Sequence, residues 1–513
     1  MLSFSKRSLA VLLIAQSAVA VAAMSVVLLH TNTLENNGRW RNSKSSLVAA
    51  MAVDTYQKTA QALARGHLNL GAWHGFQEMM YFKPVAIAEL EFRLFLETDA
   101  YASLVCHQNE EESFGIRLSA NPRFPSITFH ATREGQFLEK KPVPIPPLST
   151  GKWHRVNVRA SGNGVPLLAM DGQPVQLEQM PWKPFTALGF RGCQTTALVD
   201  DVVAHQTDGT VIHDSFANRR HWLACLIAGF VAATLFNLLM LPMMKRAQFP
   251  PRHQVIGLVF LDVLIVVVLA CVFTIVYFSQ QNYPREGHFS EEVVNRVRNA
   301  CVCILKERVR EYAPDPGPGV VRIVFLGTSQ TRGAGAGKPE HRFVDRIQRQ
   351  LDDEAPAGTR YECINAGIGG GDSELLIELY RDLLVPLRPM VLVVNLANND
   401  KDAGVLAGNL REMIALSRQH GIKTVICLEP NTIERWPGDM PNHPAMREVA
   451  RECNVPCLDL HDYLRQHYDD GFLWWDFVHP TSFGHKLIAD AIMDKFRANA
   501  LLEQQAEQSV SLP

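Results

Sequence analysis

Val320-Val321-Arg322-Ile323-Val324-Phe325-Leu326-Gly327-Thr328-Ser329-Gln330 is the stretch that decides the fold of the C-terminal part of the chain. Its first seven residues are strand formers, apolar at every position but Arg322, and they end on a glycine and three polar residues. A run that is apolar on both of its faces fits a strand buried on both sides, and such strands belong to parallel sheets. Runs of the same kind recur at Tyr361 to Ile364, Val391 to Leu396, Ile422 to Leu428 and Val455 to Leu460. Between them stand helical patterns, Phe343, Ile347 and Leu351 in one and Leu375, Leu376, Leu379 and Leu383 in the next. Strand and helix in alternation predict a parallel sheet covered on both faces, an α/β domain.

Sites in such sheets gather beyond the carboxyl ends of the strands. The first strand leads into Gly327-Thr328-Ser329-Gln330, the second into Asn365-Ala366-Gly367-Ile368-Gly369-Gly370-Gly371-Asp372, and the third into Ala397-Asn398-Asn399-Asp400. Beyond the fifth lies Asp476-Phe477-Val478-His479-Pro480. Together these supply a hydroxyl, backbone N–H donors, a side-chain amide and an imidazole near a carboxylate, the groups that acyl transfer needs. Singly each has a plainer reading: a Ser after a strand caps a helix, a Gly-rich run makes a turn, and an Asp and a His three apart decorate a surface. Their order along successive strand ends gives them weight.

With Trp475-Asp476-Phe477-Val478-His479-Pro480-Thr481-Ser482-Phe483-Gly484-His485 added, the region from Val320 to about Ala500 resembles the SGNH (GDSL-type) hydrolase family. The resemblance implies a three-layer, flavodoxin-like α/β fold and a carboxylic ester hydrolase. It implies Ser329 as nucleophile, His479 as base and Asp476 as the carboxylate that orients the imidazole. The implied oxyanion hole is the N–H of Ser329, the N–H of Gly370 and the amide of Asn399. Three departures stand out: Thr328 replaces the family's Asp, Ala397 replaces a Gly, and one extra residue between Asn365 and Asp372 leaves Gly371 as an alternative to Gly370. No cofactor and no metal are called for. The run Arg332 to Pro339 lacks the glycine and hydroxyl spacing of a phosphate loop, so nucleotide binding is set aside. Thr331 stands where a nucleophile elbow needs its second Gly.

The N-terminal half reads differently. Leu90, Phe92, Leu94 and Leu96 fall on one face at period two, Trp153 to Arg159 alternates likewise, and Asp171-Gly172 is a hairpin signal, which predicts an antiparallel sandwich. Gly151-Lys152-Trp153-His154-Arg155-Val156, Met170-Asp171-Gly172-Gln173 and Val199-Asp200-Asp201-Val202 resemble the concanavalin A-like (laminin-G-like) family, an all-β sandwich of jelly-roll type. That resemblance implies a carbohydrate-binding module. The plainer reading makes Trp153 a core residue and Asp200-Asp201 a strand cap, in a domain that serves as a spacer or assembly surface. Cys106 and Cys193 are a pair that an oxidising compartment could join.

Three apolar runs, Leu9 to Leu29, Leu223 to Met244 and Val255 to Phe278, are each long enough to cross a bilayer. The expected organisation is a signal anchor at 1–30, a sandwich at 31–220 and membrane helices at 221–244 and 255–279 around a basic loop at 245–254. An amphipathic helix and Pro/Gly linker at 280–319 and a hydrolase domain at 320–513 complete it. A cleaved signal peptide ending near Ala18-Val19-Ala20 is the competing reading of the first run. Lys6, Arg7, Lys245, Arg246 and Arg252 favour the cytoplasm for the segments that carry them, leaving both large domains outside; Arg39, Arg41, Lys44, Arg219 and Arg220 oppose this. Asp262, alone inside the third run, completes no relay, and transport is set aside.

Composition narrows the function. The 513 residues are 47% hydrophobic and carry a formal net charge of −2, so nothing favours nucleic acid as a partner. Ten cysteines without paired CxxC blocks make neither a disulfide scaffold nor a zinc site. The sequence therefore predicts a membrane-anchored serine esterase acting outside the cytoplasm through an acyl-Ser329 intermediate, on an acyl-ester substrate such as an O-acylated polysaccharide. The alternatives are an O-acyltransferase acting on a cell-envelope polysaccharide and a non-enzymatic glycan-binding surface protein. Expected partners are the substrate and the lipid bilayer, with no nucleic acid and no nucleotide.

Overall fold

The computed structural model describes residues 40–42, 68–70, 77–81, 87–109, 111–160, 167–176, 185, 187–192, 197–214, 291–433, 436–475 and 478–502. In the N-terminal part, strands β1 (Trp40–Asn42), β2 (Leu68–Asn69), β3 (Gln77–Tyr81), β4 (Ile87–Leu96), β5 (Tyr101–His107), β6 (Glu112–Ser119) and β7 (Ile127–Arg133) are followed by β8 (Gln136–Val143) and β9 (Trp153–Arg159). Then come β10 (Leu167–Met170), β11 (Gln173–Val175), β12 (Ala187–Gly192), β13 (Ala197–Gln206) and β14 (Val211–Asp214). One antiparallel sheet runs β1-β3-β12-β5-β6-β7-β8, the other β11-β10-β9-β4-β13-β14 with β2 beside β13. The alternation in β4 buries Leu90, Phe92, Leu94 and Leu96, which join Leu104, Ile116 and Phe190 of the opposite sheet in a single core. Asp171 and Gly172 both take positive φ in the two-residue turn between β10 and β11, as that hairpin type requires.

Helix α1 (Glu291–Val309) precedes the α/β domain, whose elements are β15 (Val320–Gly327), α2 (Ser329–Arg332), α3 (Phe343–Glu354), β16 (Arg360–Gly367), α4 (Ser373–Leu379), β17 (Val391–Leu396), α5 (Ala403–Gln419), β18 (Lys423–Leu428), α6 (His443–Glu452), β19 (Cys457–Asp459), α7 (Leu460–Gln466) and α8 (Ser482–Ala498). The five parallel strands lie in the order β16-β15-β17-β18-β19. The order reverses direction between the neighbours of β15, and a crevice opens at such a point. In β15, Val321, Ile323 and Phe325 enter one core with Phe343, Ile347 and Phe496, while Val324 and Leu326 enter the other with Leu376 and Leu410. Arg322, buried within this strand, donates through Nε to Glu362 (2.8 Å) and through Nη1 to the Ala313 carbonyl (2.9 Å), so the polar interruption is satisfied.

The two domains are packed together. The Glu134-Gly135 turn between β7 and β8 lies against the segment 468–475: Phe137 N–H donates to the Asp470 carbonyl (2.7 Å) and Phe472 N–H to the Gly135 carbonyl (2.8 Å). Arg117 donates to Asp469 at 2.9 Å, and Phe124 stacks on Tyr468 with ring centroids 5.6 Å apart. The Arg191 guanidinium sits 3.9 Å above the ring of Phe472 and 4.9 Å from that of Trp475. Tyr101 and Phe124 of the sandwich thereby belong to the same buried cluster as Leu473, Trp474 and Phe483.

The three transmembrane helices expected from the sequence are corrected. Among the described residues no helix is long and apolar enough to cross a membrane, and the three apolar runs lie outside those residues. The long helix nearest to them, α1, carries Arg296, Arg298, Lys306, Glu307 and Arg308, and that charge bars it from a hydrocarbon interior. Cys106 is a free, buried thiol, and Cys193 lies outside the described residues.

Candidate active site

Strand register brings the sequence-predicted groups to one edge. Gly327 of β15 pairs with Gly367 of β16 on one side and with Asn395 of β17 on the other. The segments bearing Ser329, Gly370 and Asn399 therefore leave the sheet side by side. Thr328 caps α2 with its side chain, Ser329 opens the helix, and Gly333 closes it with a left-handed φ of 98°. Ser329 and His479 are both half-buried, and Ser329 Oγ lies 2.9 Å from His479 Nε2. A hydroxyl at this distance from an imidazole can pass it a proton. Asp476, the expected third member, lies outside the described residues.

The loop that carries His479 is fixed from several directions. Trp475 N–H donates to the His479 carbonyl at 2.9 Å, and the Trp475 indole donates to the Gly335 carbonyl. Gly335 has φ +96°, and a Cβ there would fall 1.9 Å from the Pro480 carbonyl oxygen. The Gly-rich run after α2 thus packs against the His loop, which accounts for its composition. His485 Nε2 lies 3.0 Å from the Ala334 carbonyl; full burial lowers its pKa to about 3 and keeps it neutral. That histidine joins α8 to the same Gly-rich turn.

On the oxyanion side, Gly370 takes φ +72°, its carbonyl accepts from Arg298 Nε (2.9 Å) and Nη2 (2.6 Å), and its N–H donates to no group among the described residues. The N–H of Gly371 is used by the Ile368 carbonyl at 3.0 Å. Of the two glycines, Gly370 is therefore the one with a donor to offer. Asn399 Nδ2 donates to the Gly371 carbonyl at 2.8 Å; an amide has a second N–H, which remains for a ligand.

Two residues that the sequence reading missed hold these pieces together. Gln330, fully buried, donates through Nε2 to the carbonyls of Pro430 and Val478, each at 2.6 Å, and so links the nucleophile turn to the residue before His479. Glu429, also fully buried, accepts from the Thr328 hydroxyl and from Asn398 N–H (2.9 Å), joining the residues that precede Ser329 and Asn399. Burial pushes its carboxyl up to about 8 despite those two bonds. The signal available was a carboxylate directly after the apolar run Val425-Ile426-Cys427-Leu428.

Residues 325–487 match the GDSL-like Lipase/Acylhydrolase family. That match lies in the C-terminal domain and makes it a GDSL-like lipase/acylhydrolase domain by similarity; it lies outside the sandwich and does not bear on the concanavalin A-like resemblance there. No curated protein matches the chain. Among solved structures, the chain is similar to a two-domain esterase active on acetylated mannans (18% identity, 42% of this chain and 57% of that one, TM-score 0.32). It is similar also to a lipase/acylhydrolase from Enterococcus faecalis (21%, 36% and 100%, TM-score 0.31). A third is a catalytic mutant of an acetylxylan esterase from Geobacillus stearothermophilus (17%, 34% and 93%, TM-score 0.30). The chain spans just over half the length of the two-domain esterase, at 57%.

Proposed function

We propose that this protein cleaves an acyl ester through a covalent acyl-Ser329 intermediate and that its substrate is an O-acylated glycan. The observation that carries the chemistry is the 2.9 Å approach of Ser329 Oγ to His479 Nε2 at the strand ends. Ser329 Oγ attacks the acyl carbonyl carbon while His479 Nε2 takes its proton, and the tetrahedral oxyanion is met by the N–H groups of Ser329 and Gly370 and the free amide N–H of Asn399. His479 then returns the proton to the departing sugar oxygen. Water, deprotonated by the same imidazole, attacks the acyl-serine carbonyl; as the bond from that carbon to Ser329 Oγ breaks, His479 returns the proton to Oγ and the carboxylic acid leaves. Asp476 is assigned to hold the imidazole in the tautomer this needs.

The glycan rests on the sequence resemblance of the N-terminal half to the concanavalin A-like family, which implies a carbohydrate-binding module, together with its docking on the segment that leads to His479. An extracytoplasmic place for both domains, periplasmic or at the cell surface, belongs to the same reading; protease added to cells with the outer envelope opened and the cytoplasmic membrane sealed then cuts them, and protection of both refutes that placement. For the chemistry, the full chain hydrolyses p-nitrophenyl acetate, and Ser329→Ala and His479→Ala each bring the rate to background. Acetate release from acetylated xylan or mannan tests the substrate. An inert, folded wild type overturns the esterase, and acyl appearing on an added sugar acceptor instead of water makes the enzyme a transferase.

A further inference from the structure

Between α1, α2 and the carboxyl end of β16 lies a cavity of about 210 Å³ that is separate from the Ser329–His479 pair. Its polar lining is Arg308, Arg332, Arg342 and Asn365, and Cys301 and Leu305 form part of its apolar wall. Arg308 Nη1 donates to the Asn365 carbonyl at 2.9 Å. The side chains of Arg332 and Arg342 make no hydrogen bond among the described residues, and Arg342 Nε and Asn365 Nδ2 are buried donors without a partner. Other arginines of this protein are answered differently: Arg322 meets Glu362 and Arg117 meets Asp469. The half-buried carboxylate of Asp345 feels the charges of Arg342, Arg308 and Arg349. Three guanidiniums and no carboxylate line the cavity, and Asp345 nearby offsets part of that charge. A recessed surplus of positive charge facing unpaired donors is costly until an anion enters.

We infer that this cavity binds a tetrahedral oxyanion of the phosphate or sulfate class, free or as a monoester. An anion matches the surplus charge, and guanidinium forks offer paired N–H groups to adjacent oxygens of such a group. The volume equals about seven waters at about 30 Å³ each, room for the oxyanion and part of what it is attached to. Its placement gives occupancy a consequence. Arg332 is the last residue of α2, and its Nη1 lies 3.6 Å from where a Cβ on Gly369 would stand. A bound oxyanion therefore ties the helix that Ser329 opens to the turn that presents the Gly370 N–H.

The test reads binding alone, with no ester present, so its failure leaves the esterase reading standing. The melting temperature of the full chain is followed against inorganic phosphate, sulfate and glycerol 3-phosphate, with sodium chloride holding ionic strength constant. A saturable rise with phosphate or sulfate is expected. Arg342→Gln and Arg332→Gln each weaken half-saturation by about tenfold or more, the loss of one charge-assisted hydrogen bond, and Arg342→Lys recovers part of it. Saturation by glycerol 3-phosphate identifies a site open to monoesters, and saturation by the inorganic ions alone identifies a closed one; both uphold the inference. A wild type with no saturable rise overturns it, as does an equal rise in whichever of the two Gln variants folds.

Discussion

Glu429→Gln has a pH signature whose sign follows from the structure. Glu429 is fully buried, and burial, with a smaller push from the charge of Asp400, raises its carboxyl from an ordinary 4.5 to about 8; the Thr328 hydroxyl and Asn398 N–H pull the other way. Below 4.5 the native and unfolded chains both hold the proton, and the group adds no pH dependence. Between 4.5 and about 8 the native chain alone holds it, so stability falls as pH rises through this window. Above about 8 the native protein buries an anion. At 1.36 kcal/mol per pH unit, the window of about 3.5 units corresponds to about 5 kcal/mol. One kcal/mol moves the melting temperature of a domain of 150–250 residues by about 2–4 °C, so the effect at pH 8 is on the order of 10 °C. Glutamine cannot titrate, and with its oxygen toward Asn398 N–H and its amide toward the Thr328 oxygen it imitates the protonated acid. Calorimetric melting from pH 5 to pH 9 should therefore give curves within about 1 kcal/mol of each other at pH 5. As pH rises to 8 the variant becomes the more stable. Parallel curves for variant and wild type across the window would refute the reasoning.

Gln330→Ala deletes both bonds to the Pro430 and Val478 carbonyls; at about 1–3 kcal/mol for each buried group left unpaired, turnover of p-nitrophenyl acetate should fall at least tenfold while the protein stays folded. Asn399→Ala should lower kcat by about 100-fold to 1,000-fold with a smaller change in KM, the signature of a donor used in the transition state. Gly335→Ala, whose Cβ would meet the Pro480 carbonyl oxygen at 1.9 Å, should displace the His479 loop and abolish turnover, with thermal melting showing whether the fold survives. Arg191→Met removes the cation from above Phe472 and Trp475; a loss of about 1–2 kcal/mol in stability is expected, accompanied by reduced kcat because Trp475 anchors the His479 loop.

Much of the α/β domain is legible in the sequence. The run Val391 to Leu396 is the whole of β17, and the Phe343, Ile347, Leu351 pattern is the buried face of α3. Both signals are local: an unbroken apolar run and a 3.6-residue period. The edge strands were less clear, since β16 spans Arg360–Gly367 where the apolar run is Tyr361 to Ile364, and the fifth run shrinks to Cys457–Asp459. The pairing of Ser329 with His479 was expected from position: Ser329 follows the marked end of β15, and His479 stands just ahead of α8 in the block that carries the resemblance. Gln330 and Glu429 were not, because their roles depend on partners about a hundred residues away, and no period in the sequence encodes that proximity. Thr328 illustrates the point. Against the resemblance it looked like a tolerated departure, yet its hydroxyl reaches Glu429. Trp153 is half-buried, with its ring against Phe95 and beneath the Arg93 guanidinium, and Asp200 pairs with that same arginine. The docking of the sandwich on residues 468–475 was equally hidden, since it is built from scattered aromatic and charged side chains.

That docking makes each half of the chain part of the other's surface chemistry. The aromatic surface formed by Tyr468, Phe472 and Trp474 is covered by residues from strands β5, β6 and β12 and from the turns beside them. A recombinant carrying the C-terminal half alone would present this surface to solvent, and exposed apolar area of that kind drives self-association. A foreign sandwich grafted in its place would have to bring equivalents of Arg117, Phe124 and Arg191 at matching positions.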